Sequence, residues 1–148
     1  MTVTPAQAAT LRAALVGDDD AFNLLSTDPD VANSEGLPTL TAAAFVAATQ
    51  RHFHPGWSAG DVVQFVARLR ARNAAACEDL SATAAEQMLL SVLRGEPMGA
   101  QFDDFMKGYA QFALLTELVR DFSEQELSTF LANARMQADA WLAQHSNR

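Results

Sequence analysis

Apolar residues along this chain recur at three- and four-residue intervals, and no segment shows the strict alternation of a half-buried strand. Near the C-terminus, Leu127, Phe130, Leu131, Ala134, Ala138, Trp141 and Leu142 fall on one side of a helix. Ser123-Glu124-Gln125-Glu126 stands ahead of that stripe, with a hydroxyl and a carboxylate spaced to satisfy each other's orphan amides at a helix start. Ser58-Ala59-Gly60-Asp61 repeats the arrangement with a shorter acidic arm, ahead of Val62, Phe65, Val66 and Leu69.

The remaining elements follow from the same grammar. Thr4-Pro5 is a cap followed by proline at the first helical position, predicting a helix to about Val16 that Gly17 closes. Asp18, Asp19 and Asp20 open a short second helix carrying Phe22, Leu24 and Leu25, where their charge complements the helix dipole. A calcium loop counted from Asp18 would need glycine and glutamate where Asn23 and Pro29 stand. Asp28 to Pro38, with Asp28-Pro29, Glu35-Gly36 and Leu37-Pro38, reads as a long surface loop.

A third helix is expected over about Thr39–Phe53, with Leu40, Ala43, Ala44 and Ala47 on one face and Phe45 and Val46 on another. His54-Pro55-Gly56-Trp57 makes a tight turn into the fourth helix. Ser81 caps a fifth, with Ala85, Met88, Leu89, Val92 and Leu93 inward and Gly95-Glu96-Pro97 as its stop. The sixth spans about Gln101–Arg120. It carries Phe102, Phe105, Met106, Tyr109, Phe112 and Ala113 on one side, then Leu114, Leu115, Leu118 and Val119 around most of its circumference. The expectation is an all-α fold, a compact single domain over residues 1–148 built as a bundle of six or seven helices.

Composition agrees with a packed globule: 148 residues, 49% hydrophobic and 19% charged. Nine arginines stand against one lysine, a usage common in bacteria with GC-rich genomes. The net charge of −8 repels phosphate backbones and anionic lipid, and favours a basic protein partner. Cys77 stands alone, so no internal disulfide or multi-cysteine metal site is expected. Met1-Thr2-Val3-Thr4-Pro5 lacks the basic start of a signal peptide, and no apolar run approaches a membrane span, which points to the cytoplasm.

Arg51-His52-Phe53-His54-Pro55-Gly56-Trp57 is the densest cluster of chemically versatile side chains. His52 and His54 cannot clamp one metal from a continuous helix, because residues two apart face about opposite ways. With His54 in the turn that constraint relaxes, but a third ligand would still be needed, and the spacing supplies none. A helix end finished by Arg and His, which the dipole favours, accounts for the cluster without a ligand. The third and fourth helices also outline a helix-turn-helix, with Arg51, Arg68, Arg70 and Arg72 against Asp61. Arg68 and Arg72 share a face with Gln64, whereas Arg70 does not, so no continuous phosphate-facing row results.

No nucleophile elbow, phosphate loop, zinc-protease motif or dinucleotide fingerprint occurs, and no histidine stands in the fifth or sixth helix to bind haem. The aromatic row of the sixth helix suits core packing, Cys77 beside Ala74–Ala76 suits a small buried side chain, and Met98 lies in a glycine- and proline-containing loop. The expected function is a non-enzymatic, acidic helical module that binds a basic protein as a regulatory, adaptor or immunity-type component, with no cofactor and no resident metal. A second copy of the chain is a further candidate partner. Two alternatives remain: a small-molecule or metal-dependent role at His52, His54 and Trp57, and nucleic-acid binding through Arg68 and Arg72. The candidate contact residues are therefore Arg51, His52, His54, Trp57, Arg68 and Arg72.

Overall fold

The computed structural model describes residues 2–32, 35–72, 74, 80–96 and 104–146. Within them the protein is all-α, a helical bundle of eight segments: α1 (Pro5–Val16), α2 (Asp19–Leu25), α3 (Pro29–Ala32), α4 (Gly36–His52), α5 (Ala59–Arg72), α6 (Ala82–Leu93), α7 (Asp104–Leu118) and α8 (Glu124–Ser146). Two compact units share these helices: one of residues 1–44 and 121–148, the other of residues 45–120.

In the first unit α1 packs on α2, α3 and α8. Its start is a reciprocal capping box. The Thr4 hydroxyl accepts from the Gln7 N–H at 3.2 Å, and the Gln7 side-chain oxygen accepts from the Thr4 N–H at 2.9 Å. Gln7 is buried, and its amide lies so close to Gly36 that any β-carbon there would overlap it. The extended residue before the cap is held as well: the Val3 N–H donates to Asp139 Oδ1 at 2.6 Å, and Arg135 Nη2 donates to the Val3 carbonyl at 2.8 Å. Leu127, Phe130, Ala134, Ala138 and Leu142 form the buried face of α8, and Leu131 and Trp141 flank it half-buried.

In the second unit α5 packs on α6 and α7, and α6 on α7. The core faces read from the sequence are buried: Val62, Phe65, Val66 and Leu69 from α5, and Ala85, Met88 and Leu89 from α6. Val92 and Leu93 are only half-buried at the C-terminal end of α6. Leu114, Leu115, Leu118 and Val119 are all buried, as their spread around the helix implied. Phe112 is 37% exposed, so the aromatic row of this helix does not continue into the core at that position. Phe102, Cys77 and Met98, and the side chains of Phe105, Met106 and Tyr109, lie outside the described residues.

The expected loop at 28–38 is largely helical at both ends. Pro29 is the first residue of the short α3, and α4 begins at Gly36 with Pro38 inside its first turn. The first-turn amides of a helix have no intrahelical acceptor, so proline there sacrifices no hydrogen bond. The Thr39 N–H already donates to the Glu35 carbonyl at 3.1 Å.

Candidate functional site

The α4–α5 connection is built by local chemistry. Helix α4 stops at His52, and the Phe53 N–H completes its last hydrogen bond to the Thr49 carbonyl at 3.0 Å. The Trp57 N–H then donates to the His54 carbonyl at 3.1 Å, closing a turn with Pro55 and Gly56 at its centre. Gly56 has φ +95°, the left-handed value that a proline-glycine turn of type II needs at this position. Ser58 and Asp61 cap α5 reciprocally: the Asp61 N–H donates to Ser58 Oγ at 3.3 Å, and the Ser58 N–H donates to Asp61 Oδ2 at 3.0 Å.

These constraints shape an open cleft of about 310 Å³. Its floor is aromatic. His52, Phe53 and Phe65 meet edge to face, with ring centroids 4.9 Å apart for His52–Phe53, 5.0 Å for His52–Phe65 and 5.7 Å for Phe53–Phe65. The rim carries His54, Pro55, Gly56 and Trp57 from the turn, and Asp61, Gln64 and Arg68 from one face of α5. Of the candidates named from sequence, His52, His54, Trp57 and Arg68 come together here, while Arg51 and Arg72 do not line the cleft. Asp61, Gln64, Phe65 and Arg68 follow the three-and-four spacing of one helix face, a signal that could have placed them together beforehand.

The electrostatics of the cleft are uneven. Arg72 Nη1 sits 2.9 Å from Glu117 Oε1, and Arg120 Nη1 lies 3.8 Å from Glu117 Oε2, so the largely buried Glu117 carboxylate is shared by two arginines. Arg68 makes no ion pair with any described residue. The His52 pKa is lowered from 6.5: burial against its neighbours disfavours the charged ring, Arg68 and His54 repel it further, and Glu117 opposes them. Asp61 is the one acidic group on the rim among the described residues, and its carboxylate is committed to the α5 cap.

Among the described residues no group of three His, Cys, Asp or Glu side chains converges as a metal site would. Among the described residues no Ser, Thr or Cys lines the cleft. The arrangement can hold and orient a ligand, with imidazoles, aromatic faces and a guanidinium that has no ion pair among the described residues; among those residues it brings no nucleophile beside a base. No described helix is long and apolar enough to cross a membrane.

A second feature lies in the other unit and escaped the sequence reading. Helix α2 has no buried residue. Val16, Phe22 and Leu24 are 56%, 37% and 75% exposed, beside exposed Asp18, Asp19 and Asp20. Asp18 caps α2 by accepting from the Ala21 N–H at 3.2 Å, so the aspartates do serve the helix start as expected. Periodicity alone could not reveal that the apolar residues flanking them, Val16, Phe22 and Leu24, would stay exposed.

No protein-family model, curated protein or solved structure matches the chain.

Proposed function

We propose that this protein is a non-enzymatic, acidic helical binding module that docks a basic protein partner through α2 and the adjoining end of α1. The observation that carries this reading is the exposure of Val16, Phe22 and Leu24 alongside three aspartates. Single exposed apolar side chains are ordinary, but α2 has no fully buried residue: Ala21 and Leu25 are half-buried against the fold, and Phe22 and Leu24 remain exposed for association. Charge supports the same side of the molecule. The unit of residues 1–44 and 121–148 holds ten acidic residues against three basic ones, whereas residues 45–120 hold eight against seven. Two of the three basic residues are engaged within the fold: Arg12 with Ser128 and Glu124, and Arg135 with the Val3 carbonyl. Apolar contact would supply affinity, and the acidic rim would steer association and reject acidic competitors.

The helix-turn-helix reading has less support. The α4–turn–α5 outline is present, but Arg72 is held by Glu117 and the segment around it is close to electroneutral. The test of the binding reading is affinity capture from nuclease-treated host lysate with wild-type, Leu24→Glu and Asp19→Lys/Asp20→Lys proteins. A basic protein captured by the wild type and lost by both variants is the expected result. A partner retained by both variants, or an acidic one, refutes the assignment to this surface.

A further inference from the structure

The cleft at the α4–α5 turn has features that the docking surface on α2 does not use. At about 310 Å³ it is at the lower end of the sizes that take small ligands, enough for one ring or one to two side chains. Its polar rim is dominated by groups that attract anions. The Arg68 guanidinium has no carboxylate partner among the described residues, in a protein with nearly twice as many acidic as basic side chains. Two imidazoles, His52 and His54, stand on the same cleft, and Gln64 adds a neutral amide. The nearby acid on α7, Glu117, is already shared between Arg72 and Arg120, and Asp61 is tied to the Ser58 N–H. Trp57 on the rim and Phe53 and Phe65 on the floor line the same cleft, and their rings suit an apolar or aromatic body attached to the charged group.

We propose that this cleft binds a carboxylate carried on an apolar or aromatic body, with Arg68 as the main anchor, His52 and His54 as supporting donors and Trp57 packed against the carbon skeleton. A planar guanidinium pairs with a carboxylate through two parallel hydrogen bonds, a geometry an amide cannot match. The carboxylate is either that of a free small acid or that of an acidic side chain flanked by an aromatic residue on another protein. Binding has a built-in pH response. Burial is the main cause that lowers the His52 pKa; of the titratable groups facing the ring, Arg68 from α5 and His54 from the turn lower it further and Glu117 from α7 opposes them. A bound anion offsets the repulsion from Arg68, so ligand and proton bind His52's surroundings cooperatively and affinity rises as pH falls.

The experiment is a titration of the full-length, isotope-labelled protein with benzoate, with benzamide and with the peptide N-acetyl-glutamyl-phenylalaninamide, followed by backbone amide NMR. Benzoate or the peptide should shift the amides of the 52–57 turn and the 61–68 segment saturably, with millimolar affinity as expected of so small a ligand. Benzamide should bind at least about tenfold more weakly, and Arg68→Gln should weaken benzoate by a similar factor, in line with a lost charge-assisted pair. Arg68 is exposed, so this variant should keep its fold, which far-UV circular dichroism checks. Tighter binding of benzoate identifies a free acid as the better ligand, and tighter binding of the peptide identifies an acidic segment of a partner. Equal binding of benzoate and benzamide, shifts located away from the cleft, no saturable shift with either acid, or an unchanged Arg68→Gln protein overturns the proposal. Leu24→Glu should leave these titrations unaltered, so failure here is distinguishable from failure of the docking surface.

Discussion

His52 concentrates the local physics of the α4 terminus. It gains the helix dipole expected of a basic residue in a last turn, yet it packs on Phe53 and Phe65 with Arg68 and His54 nearby, and the second set of effects prevails. Because its folded pKa lies below 6.5, the unfolded chain takes up the proton first as pH falls. Stability contributed by the neutral ring is therefore full above that value, declines as pH drops through 6.5 and levels off below the folded pKa. Urea unfolding at about pH 7.5 and about pH 5 should show a smaller loss in His52→Gln than in wild type; parallel losses would place the effect elsewhere. Gly36 makes a different residue-scale prediction. A β-carbon there displaces the buried Gln7 amide, which can swing away only by releasing the Thr4 N–H. Gly36→Ala should cost about 1–3 kcal/mol in unfolding free energy, the usual range for overpacking a tight contact, and a stability equal to wild type would contradict the close approach.

At the scale of elements, helix starts were the most legible feature. The Ser58–Asp61 and Ser123–Glu126 pairs both form reciprocal caps, and Ser81 accepts from the Ala84 N–H at 3.2 Å. Each contact spans only three residues, so no tertiary information is needed to form it. Ser123→Ala should therefore lower stability by about 0.5–2 kcal/mol, while Ser123→Gly should cost only a few tenths; thermal unfolding of the two variants separates a cap from a general surface effect. The ends that proline seemed to forbid were less legible. Asp28-Pro29 and Leu37-Pro38 look like breaks because proline ends helices from within, but at a first turn it is neutral or favourable. Which of the two roles applies depends on where the helix begins, and for α4 that start packs Gly36 against Gln7 of α1.

At the scale of the whole molecule, the charge of −8 is not spread evenly: nearly all of the excess falls in the unit that carries α2. Surface fields decay over roughly 8 Å at physiological ionic strength, so a basic partner docked on α2 senses chiefly the charges next to it, Asp18, Asp19 and Asp20 among them. Its association rate should fall as salt is raised, with the dissociation rate nearly constant, as measured by surface plasmon resonance. Duplex DNA should not be retained even at low salt in an electrophoretic shift assay. Residues 45–120 are almost electroneutral, and the arginine that completes the outlined recognition face, Arg72, is held by Glu117. Salt-sensitive retention would reverse that conclusion.

The all-α class, the caps, and the core faces of α5, α6 and α8 were all legible in the chain, because each depends on residue types and spacings within one element. Tertiary structure alone decided what the polar groups do once the helices pack. It drew Arg72 to Glu117, 45 residues away, and left Arg68, one turn earlier, facing the cleft without a partner among the described residues. It buried Gln7 beside Gly36 and left Leu24 in solvent, although Leu24 is the more apolar side chain. Periodicity identifies which face of a helix is apolar; whether a neighbour covers that face, and which charge reaches which partner, is set by long-range packing.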